Sequence, residues 1–410
     1  MKSMKKLVLA GLVLLASVMI LVGCKNDSVP EIPKYTVTFD ANGGTGEMTP
    51  QTFTANESQK LKENTFSKEG EIFLGWSKST TGAVEYQNQE EISLTSNITL
   101  YAQWTPGIVV TSSTVESLAL ESVTGEYHIV VEGKIDSSVI STLKTKIKAA
   151  GEGAAIHLDL SLTEGLTEIP NTAFMGCGKL SSVSIPSSVT SIGDSAFRDC
   201  NGLTSVIMQE GVISIGALAF FYCNKLACVT IPSSITSIGD YAFEGCGALT
   251  QIKVAAGNIN YKVYDSRMLI DKNGCLLFYP SATGDISIPN DIITSIGSDA
   301  FNNCDNLTSV IIPASVTSIG DDAFHGCVGL TSVTIPSSVT SIGKGAFLGC
   351  DSIKDVTFED PYNWYVTENQ EDAENKTGGK LIDDFSYSNI KLYLVRRDYY
   401  WYKKNTDESI

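Results

Sequence analysis

The chain has 410 residues, only 18% of them charged, and a formal net charge of −17. That length accommodates two or three domains and a large buried core. An acidic balance with no basic stripe excludes nucleic acid as a partner, because phosphate binding needs clustered Lys and Arg.

Residues 1–6 carry three lysines, and Leu7 to Leu21 form an apolar run. This reads as a secretory signal, too short for a comfortable membrane span and preceded by a basic segment. Leu21-Val22-Gly23-Cys24 resembles a bacterial lipobox, which implies removal of residues 1–23, lipidation of Cys24 and a polar tether over 24–34. Two or three acyl chains anchor a protein stably where one is marginal. In a host with an outer membrane, the absence of Asp at position 25 favours that membrane and the cell surface.

Residues 35–104 read as a small β unit. Tyr35 to Phe39 alternate as a strand, Asp40 to Gly44 form a turn cluster, Phe73-Leu74-Gly75-Trp76 follows, and Asn97 to Trp104 close the unit. These phrases resemble the internalin B-type (Listeria–Bacteroides) repeat, which implies a β-grasp-like module. Trp76 and Trp104 are expected in its core rather than on a ligand platform. Gly43 and Gly44 are expected as turn residues.

Residues 105–114 read as a linker and 115–165 as a cap. Tyr127 to Val131 form a strand, Asp136 caps a helix, and Val139, Leu143 and Ile147 share one helical face. Lys144, Lys146 and Lys148 sit in its later turns, where the helix dipole favours cations. Ala155 to Leu160 then form the strand that begins a stack.

From 166 to 357 one phrase recurs every 23 residues with a single interruption: Ala-Phe-x-x-Cys-x-x-Leu-x-x-Val-x-Ile-Pro-x-x-Val-x-x-Ile-Gly. Phe174, Phe197, Phe220, Phe243, Phe301, Phe324 and Phe347 mark the copies. Units of this length cannot bury their own apolar side and must stack, so the region is a solenoid with one short strand per coil. Leu180, Val183 and Ile185 turn inward, Pro186 ends the pairing segment, Gly193 supplies a turn, Ala196 permits close approach and Phe197 fills the interior. At roughly 1.5–3 kcal/mol per large buried side chain, each coil gains most of its stability only between neighbours. The phrase resembles the BspA-like leucine-rich repeat family of bacterial surface proteins, with departures at Met208-Gln209 and Phe358-Glu359. The expected fold is thus an α+β repeat: a curved leucine-rich-repeat solenoid preceded by a small β-grasp-like module.

The interruption lies between Cys246 and Cys304. Within it, Asn273-Gly274 between two apolar runs predicts a hairpin inserted near 255–285. Residues 358–410 read as a C-terminal cap. Its aromatic run, Tyr399 to Tyr402, suits either a carbohydrate or membrane platform or a cover over the last open coil, and the cover is favoured.

Ten cysteines in an exported chain ordinarily suggest disulfides. Here seven of them, Cys177, Cys200, Cys223, Cys246, Cys304, Cys327 and Cys350, occupy one inward slot on successive coils. Parallel neighbours roughly 5 Å apart do not meet the facing geometry of a disulfide. They are expected to be free, buried small hydrophobes. Cys228 falls in an outward position, and Cys275 has no assigned place.

His128, His157 and His325 are too scattered for a zinc site, and no cofactor, catalytic or calcium-loop motif is present. Adjacent acids such as Asp321-Asp322 and Asp383-Asp384 are expected to be solvated. What remains is surface. Outward strand positions align as Ser184, Ile207, Thr230, Lys253, Ile311, Thr334 and Thr357, flanked by Ser182, Ser205, Cys228, Gln251, Ser309 and Ser332. They predict one flat face for protein or glycan binding, centred on Ile207, Ile311, Lys253 or the pair Phe221-Tyr222. The family resemblance implies attachment to host matrix proteins such as fibronectin or fibrinogen, to host cells or to other bacteria. The alternatives are a periplasm-facing scaffold or polysaccharide-binding component, and an enzyme, for which no clustered acid or nucleophile pair is evident.

Overall fold

The computed structural model describes residues 32–382, 394–395 and 399–404. The signal segment, Cys24 and most of the tether lie outside them. No helix of the described residues is long and apolar enough to cross a membrane.

The chain divides into two compact units. In the first, Lys34–Asp40 pairs antiparallel with Gln51–Thr54 and parallel with the start of Ile98–Val110. Alternation along Lys34–Asp40 sends Val37 and Phe39 inward, where Phe39 packs on Trp76 at 4.9 Å between ring centroids. Trp76 has no exposed surface, whereas Trp104, which with Phe73 belongs to the second unit, is half-buried and meets Phe73 edge-on at 5.8 Å. The described residues of this unit hold strands but no helix.

The second unit is the solenoid. Its cap is a parallel pair, Gly125–Lys134 and Ala154–Glu164, joined by the helix Ser137–Ala149. Asp136 caps that helix by accepting from the N–H groups of Ser138 and Val139, and Val139, Ile140, Leu143 and Ile147 are its buried face. The expected linker is largely structured instead. Residues 105–110 continue the strand Ile98–Val110, and Gly107 to Val110 pair in parallel with His128 to Val131. The reason is the β-branched run Ile108-Val109-Val110, which supplies a strand where Pro106-Gly107 suggests a break.

Each coil then makes two strands. The longer ones, Leu180–Ile185, Ser205–Met208, Cys228–Ile231 and Gln251–Val254, stack in parallel on Ala154–Glu164. A second ladder joins Glu168–Ile169, Ser191–Ile192, Ser214–Ile215 and Ser237–Ile238. Between the ladders, the Ala-Phe segment is a run of turns with left-handed residues at Ser195 (φ 55°) and Asp199 (φ 59°). Alternate N–H groups point to the next coil: Ser195, Phe197 and Asp199 donate to the carbonyls of Ala217, Ala219 and Phe221, while Ala196 and Arg198 donate within their own turn. The phenylalanines stack face to face, Phe197 on Phe220 at 5.3 Å and Phe220 on Phe243 at 5.4 Å. Gly193 has a different role from the expected turn. A Cβ there would lie 2.6 Å from the Asn171 nitrogen of the preceding coil, so glycine is required for close approach.

At the interruption the stack divides. Gln251–Val254 and Gly284–Ser287 are end strands of separate sheets. The predicted hairpin is present, with Met268–Asp271 antiparallel to Cys275–Phe278 around Gly274 (φ 85°), and Tyr261–Tyr264 adds a third strand. Alternation along Met268–Asp271 puts Leu269 into the core of the first half and Ile270 into that of the second. The insertion therefore covers both cut ends.

Cys275–Phe278 also starts the second half, because Cys275 and Leu276 pair in parallel with Ser295 and Ile296. Tyr279 takes the phenylalanine slot, packing on Phe301 at 5.4 Å. Ladders then run through Ser318–Ile319 and Ser341–Ile342, and through Leu307–Ile311, Ser332–Ile335 and Asp355–Phe358. Tyr400–Lys403 pairs antiparallel with Ser341–Ile342 and with Trp364–Thr367, burying Trp401 against Phe358 and Trp364. The aromatic run is a cover over the last coil.

Candidate binding surfaces

The outward rows follow directly from strand alternation. With Val183, Val206, Val229 and Ile252 buried, the residues after them face solvent: Ser184, Ile207, Thr230 and Lys253. Ser184 stands opposite Ile207, and Thr230 opposite Lys253. Ile311 and Thr334 belong to a second row with Ser287 and Thr357. The single continuous face expected from the sequence is thus two rows, because the insertion separates Gln251–Val254 from Gly284–Ser287. Ile207 and Ile311 are 57% and 64% exposed, the most open large apolar residues of these rows. Phe221 and Tyr222 lie in the turn after Ala219-Phe220 rather than on a strand. Their rings meet at 4.2 Å with Arg198 over Phe221, so Phe221 is half-buried and Tyr222 is the more exposed partner.

Two features escaped the sequence reading. The flanking row, Ser182, Ser205, Cys228 and Gln251, is headed by a histidine pair: His157 stands opposite both Ser182 and His128. The two imidazoles stack at 4.3 Å, His157 Nδ1 shares a hydrogen bond of 2.7 Å with Ser182 Oγ, and its Nε2 meets the Glu126 carboxylate. Burial, and then the neighbouring His157, hold His128 below the usual histidine value. An identical offset from the inward valine would have revealed this, since His157 precedes Leu158 as Ser182 precedes Val183.

The second is a cavity of about 670 Å³ in the solenoid. Its floor is the Ser-Ile-Gly ladder of the second half, its walls the coil 238–244, the hairpin strand Cys275–Phe278, and the cap residues Gln370, Ala373 and Tyr400 to Tyr402. Burial pushes the Glu244 carboxyl up to about 7 and that of Asp299 up to about 6, with other acids of the cluster adding to both shifts. Asp321 Oδ1 accepts the Lys344 N–H at 2.8 Å, so this acid is tied to the next coil instead of being merely solvated.

The cysteine ladder is free, as expected, and it does more than fill space. Cys200, Cys223, Cys246, Cys327 and Cys350 each donate through Sγ to a phenylalanine carbonyl of the preceding coil, at 2.9–3.2 Å. Burial pushes the Cys177 thiol up to about 11 and those of Cys246 and Cys304 up to about 12.

A stack of short parallel strands with an apolar interior and two open polar rows is a leucine-rich-repeat solenoid, a scaffold that presents surface. The chain belongs to the family described as BspA type leucine rich repeat region: six copies match over residues 159–268 and 274–371, and residues 35–103 match the Listeria-Bacteroides repeat domain. Similar solved structures include a leucine-rich repeat protein from Eubacterium ventriosum, 25% identical over 55% of this chain and 66% of that one, with a TM-score of 0.44. A leucine rich cell surface protein from Faecalibacterium prausnitzii is 20% identical over 82% and 100% of the two chains, with a TM-score of 0.40. The pneumococcal vaccine antigen PcpA is 18% identical over 66% and 71%, with a TM-score of 0.44. No curated protein is matched by the chain.

Proposed function

We propose that the chain is an exported, non-catalytic binding scaffold, held to a bacterial membrane through lipidated Cys24 and displayed at the cell surface, whose strand rows attach it to proteins of a host matrix or of other cells. The observation that carries this reading is the division of labour within each coil. Nearly every recurring residue is consumed by packing, and the residues free to vary are the outward ones, where Ile207 and Ile311 stay open to solvent. Four strands at about 4.8 Å spacing make a row of roughly 15–20 Å, which seats the central part of one side of a standard protein interface. Exposed aliphatic residues among Ser and Thr are candidate anchors within such a patch.

The test is binding of the full exported chain to immobilised matrix proteins and glycans, with Ile207→Asp and Ile311→Asp in parallel. Loss of binding in one variant assigns the row. Unchanged binding in both removes the rows from the proposal. Protease treatment of intact cells tests display, and cleavage only after permeabilisation would favour the alternative of a periplasm-facing scaffold or glycan-binding component.

A further inference from the structure

The division of the solenoid leaves an edge that the repeats elsewhere close. In the coil before it, the N–H groups of Leu218, Phe220 and Tyr222 donate to the carbonyls of Asp240, Ala242 and Glu244 at 2.8–2.9 Å. One coil later, Tyr241, Phe243 and Gly245 hold the same positions, but the compressed coil that follows, from Cys275 to Ala282, does not accept from them. Among the described residues these three N–H groups have no acceptor. Tyr241 and Phe243 line the 670 Å³ cavity. Alternate backbone donors along one edge are what an added extended strand uses.

The wall beside this edge is short of donors. Asn302 Nδ2 serves both Asp299 Oδ1, at 2.6 Å, and Glu244 Oε1, at 3.1 Å. Asp299 is only 6% exposed, and neither its Oδ2 nor Asn302 Oδ1 has a partner. An unsatisfied buried carboxylate oxygen is costly, and the cost is relieved by a charged donor. The cavity lining holds five acids, Asp240, Glu244, Asp299, Asp321 and Glu374, against the single cation Lys376. Among the described residues none of the five is in a salt bridge, and no group of three or more acids, histidines or cysteines is arranged to hold a metal ion. The volume is that of a pocket for an organic ligand rather than an ion.

We propose that this cavity is a docking groove for an extended, Lys- or Arg-bearing peptide segment, whose backbone carbonyls accept from the N–H groups of Tyr241 and Phe243 and whose cationic side chain lies between Glu244 and Asp299. Ser295, Ser318 and Ser341 along the floor supply further polar contacts. The groove is separate from the strand rows and stands or falls without them.

The test is calorimetric titration of the full exported chain with three probes: acetyl-Ala-Arg-Ala-Arg-Ala-amide, the same peptide with citrulline for arginine, and acetyl-arginine methylamide. The expected result is binding of the first, with the citrulline peptide and the single residue each weaker by about tenfold or more. Glu244→Gln and Asp299→Asn should each weaken the first peptide by about fivefold or more, while Ile207→Asp leaves it unchanged. The citrulline comparison uses the unaltered protein, so it decides the question of charge even if a variant fails to fold. No binding of the arginine peptide, equal binding of its citrulline counterpart, equal binding of the single residue, or unchanged affinity in both carboxylate variants would each overturn the proposal.

Discussion

At the scale of single residues, the thiol ladder makes the sharpest predictions. Cys223, like four other ladder cysteines, gives its S–H to a buried phenylalanine carbonyl, so Cys223→Ala should cost about 1–2 kcal/mol, more than a small apolar deletion, because the Phe197 carbonyl loses its donor. Burial also keeps the Cys200 and Cys223 thiols protonated, and reaction requires the thiolate. In the native protein, iodoacetamide should label the half-buried Cys228 and Cys275 well before any ladder position, which peptide mapping will read. Repeat spacing made the slot of these cysteines legible; their hydrogen bonds were not, since spacing says nothing about which carbonyl lies opposite. Glu244 is a second case. Its folded-state value is raised, so its contribution to stability is fully present below the ordinary carboxylate value of 4.5 and is lost as pH rises through about 7. Asp299 acts in the same sense, and Tyr241, Asp240, Asp321, Asp322 and Asn302 surround the pair. Glu244→Gln should therefore raise the thermal midpoint by a few degrees at about pH 8 and leave it nearly unchanged at about pH 4. A parallel shift at both values would refute this assignment. His128 works oppositely, losing stability as pH falls below 6.5.

At the scale of the element, the coil was almost wholly readable because each of its recurring residues has one packing task. Leu, Val and Ile alternate inward, Phe stacks on Phe, and Gly193 admits the neighbouring backbone. Phe220 has a ring on either side, at 5.3 and 5.4 Å, and no exposed surface, so Phe220→Ala should cost about 3–5 kcal/mol and free the coil 214–238 for hydrogen exchange. The element that escaped notice is the degenerate coil beginning at Cys275-Leu276. Its Tyr279 and Ala282 replace Phe and Cys, and its spacing is compressed, which hides it from a search at a fixed period. Ile288-Pro289 was the available signal, since Ile-Pro also closes the strands at Ile231-Pro232 and Ile312-Pro313. Cys275 thereby receives its place: it is the serine of a Ser-Ile pair, opposite Ser295.

For the whole molecule, the consequence lies in cooperativity. Stacked repeats are stabilised by nearest-neighbour contacts, so a break in the ladders is a break in coupling. The two halves have separate cores that meet through the insertion, where Leu269 and Phe278 pack with one and Ile270 with the other. Hydrogen exchange followed by mass spectrometry should find two protection classes. Phe324→Ala should raise exchange from about Leu307 to Phe358 while Leu180 to Ile231 keeps its protection. Spread of the effect through both halves would refute the division. None of this could be read from periodicity, which locates the interruption and cannot say whether strands resume pairing across it.

The insertion also bears on how such a chain changes length. Because it covers the apolar core at both severed ends, a further 23-residue copy can enter or leave either half while the core of the other keeps its own packing. Recombination between near-identical copies, the ordinary accident of repetitive genes, is thereby confined: its products differ in reach on one side of a bulkhead and remain folded on the other.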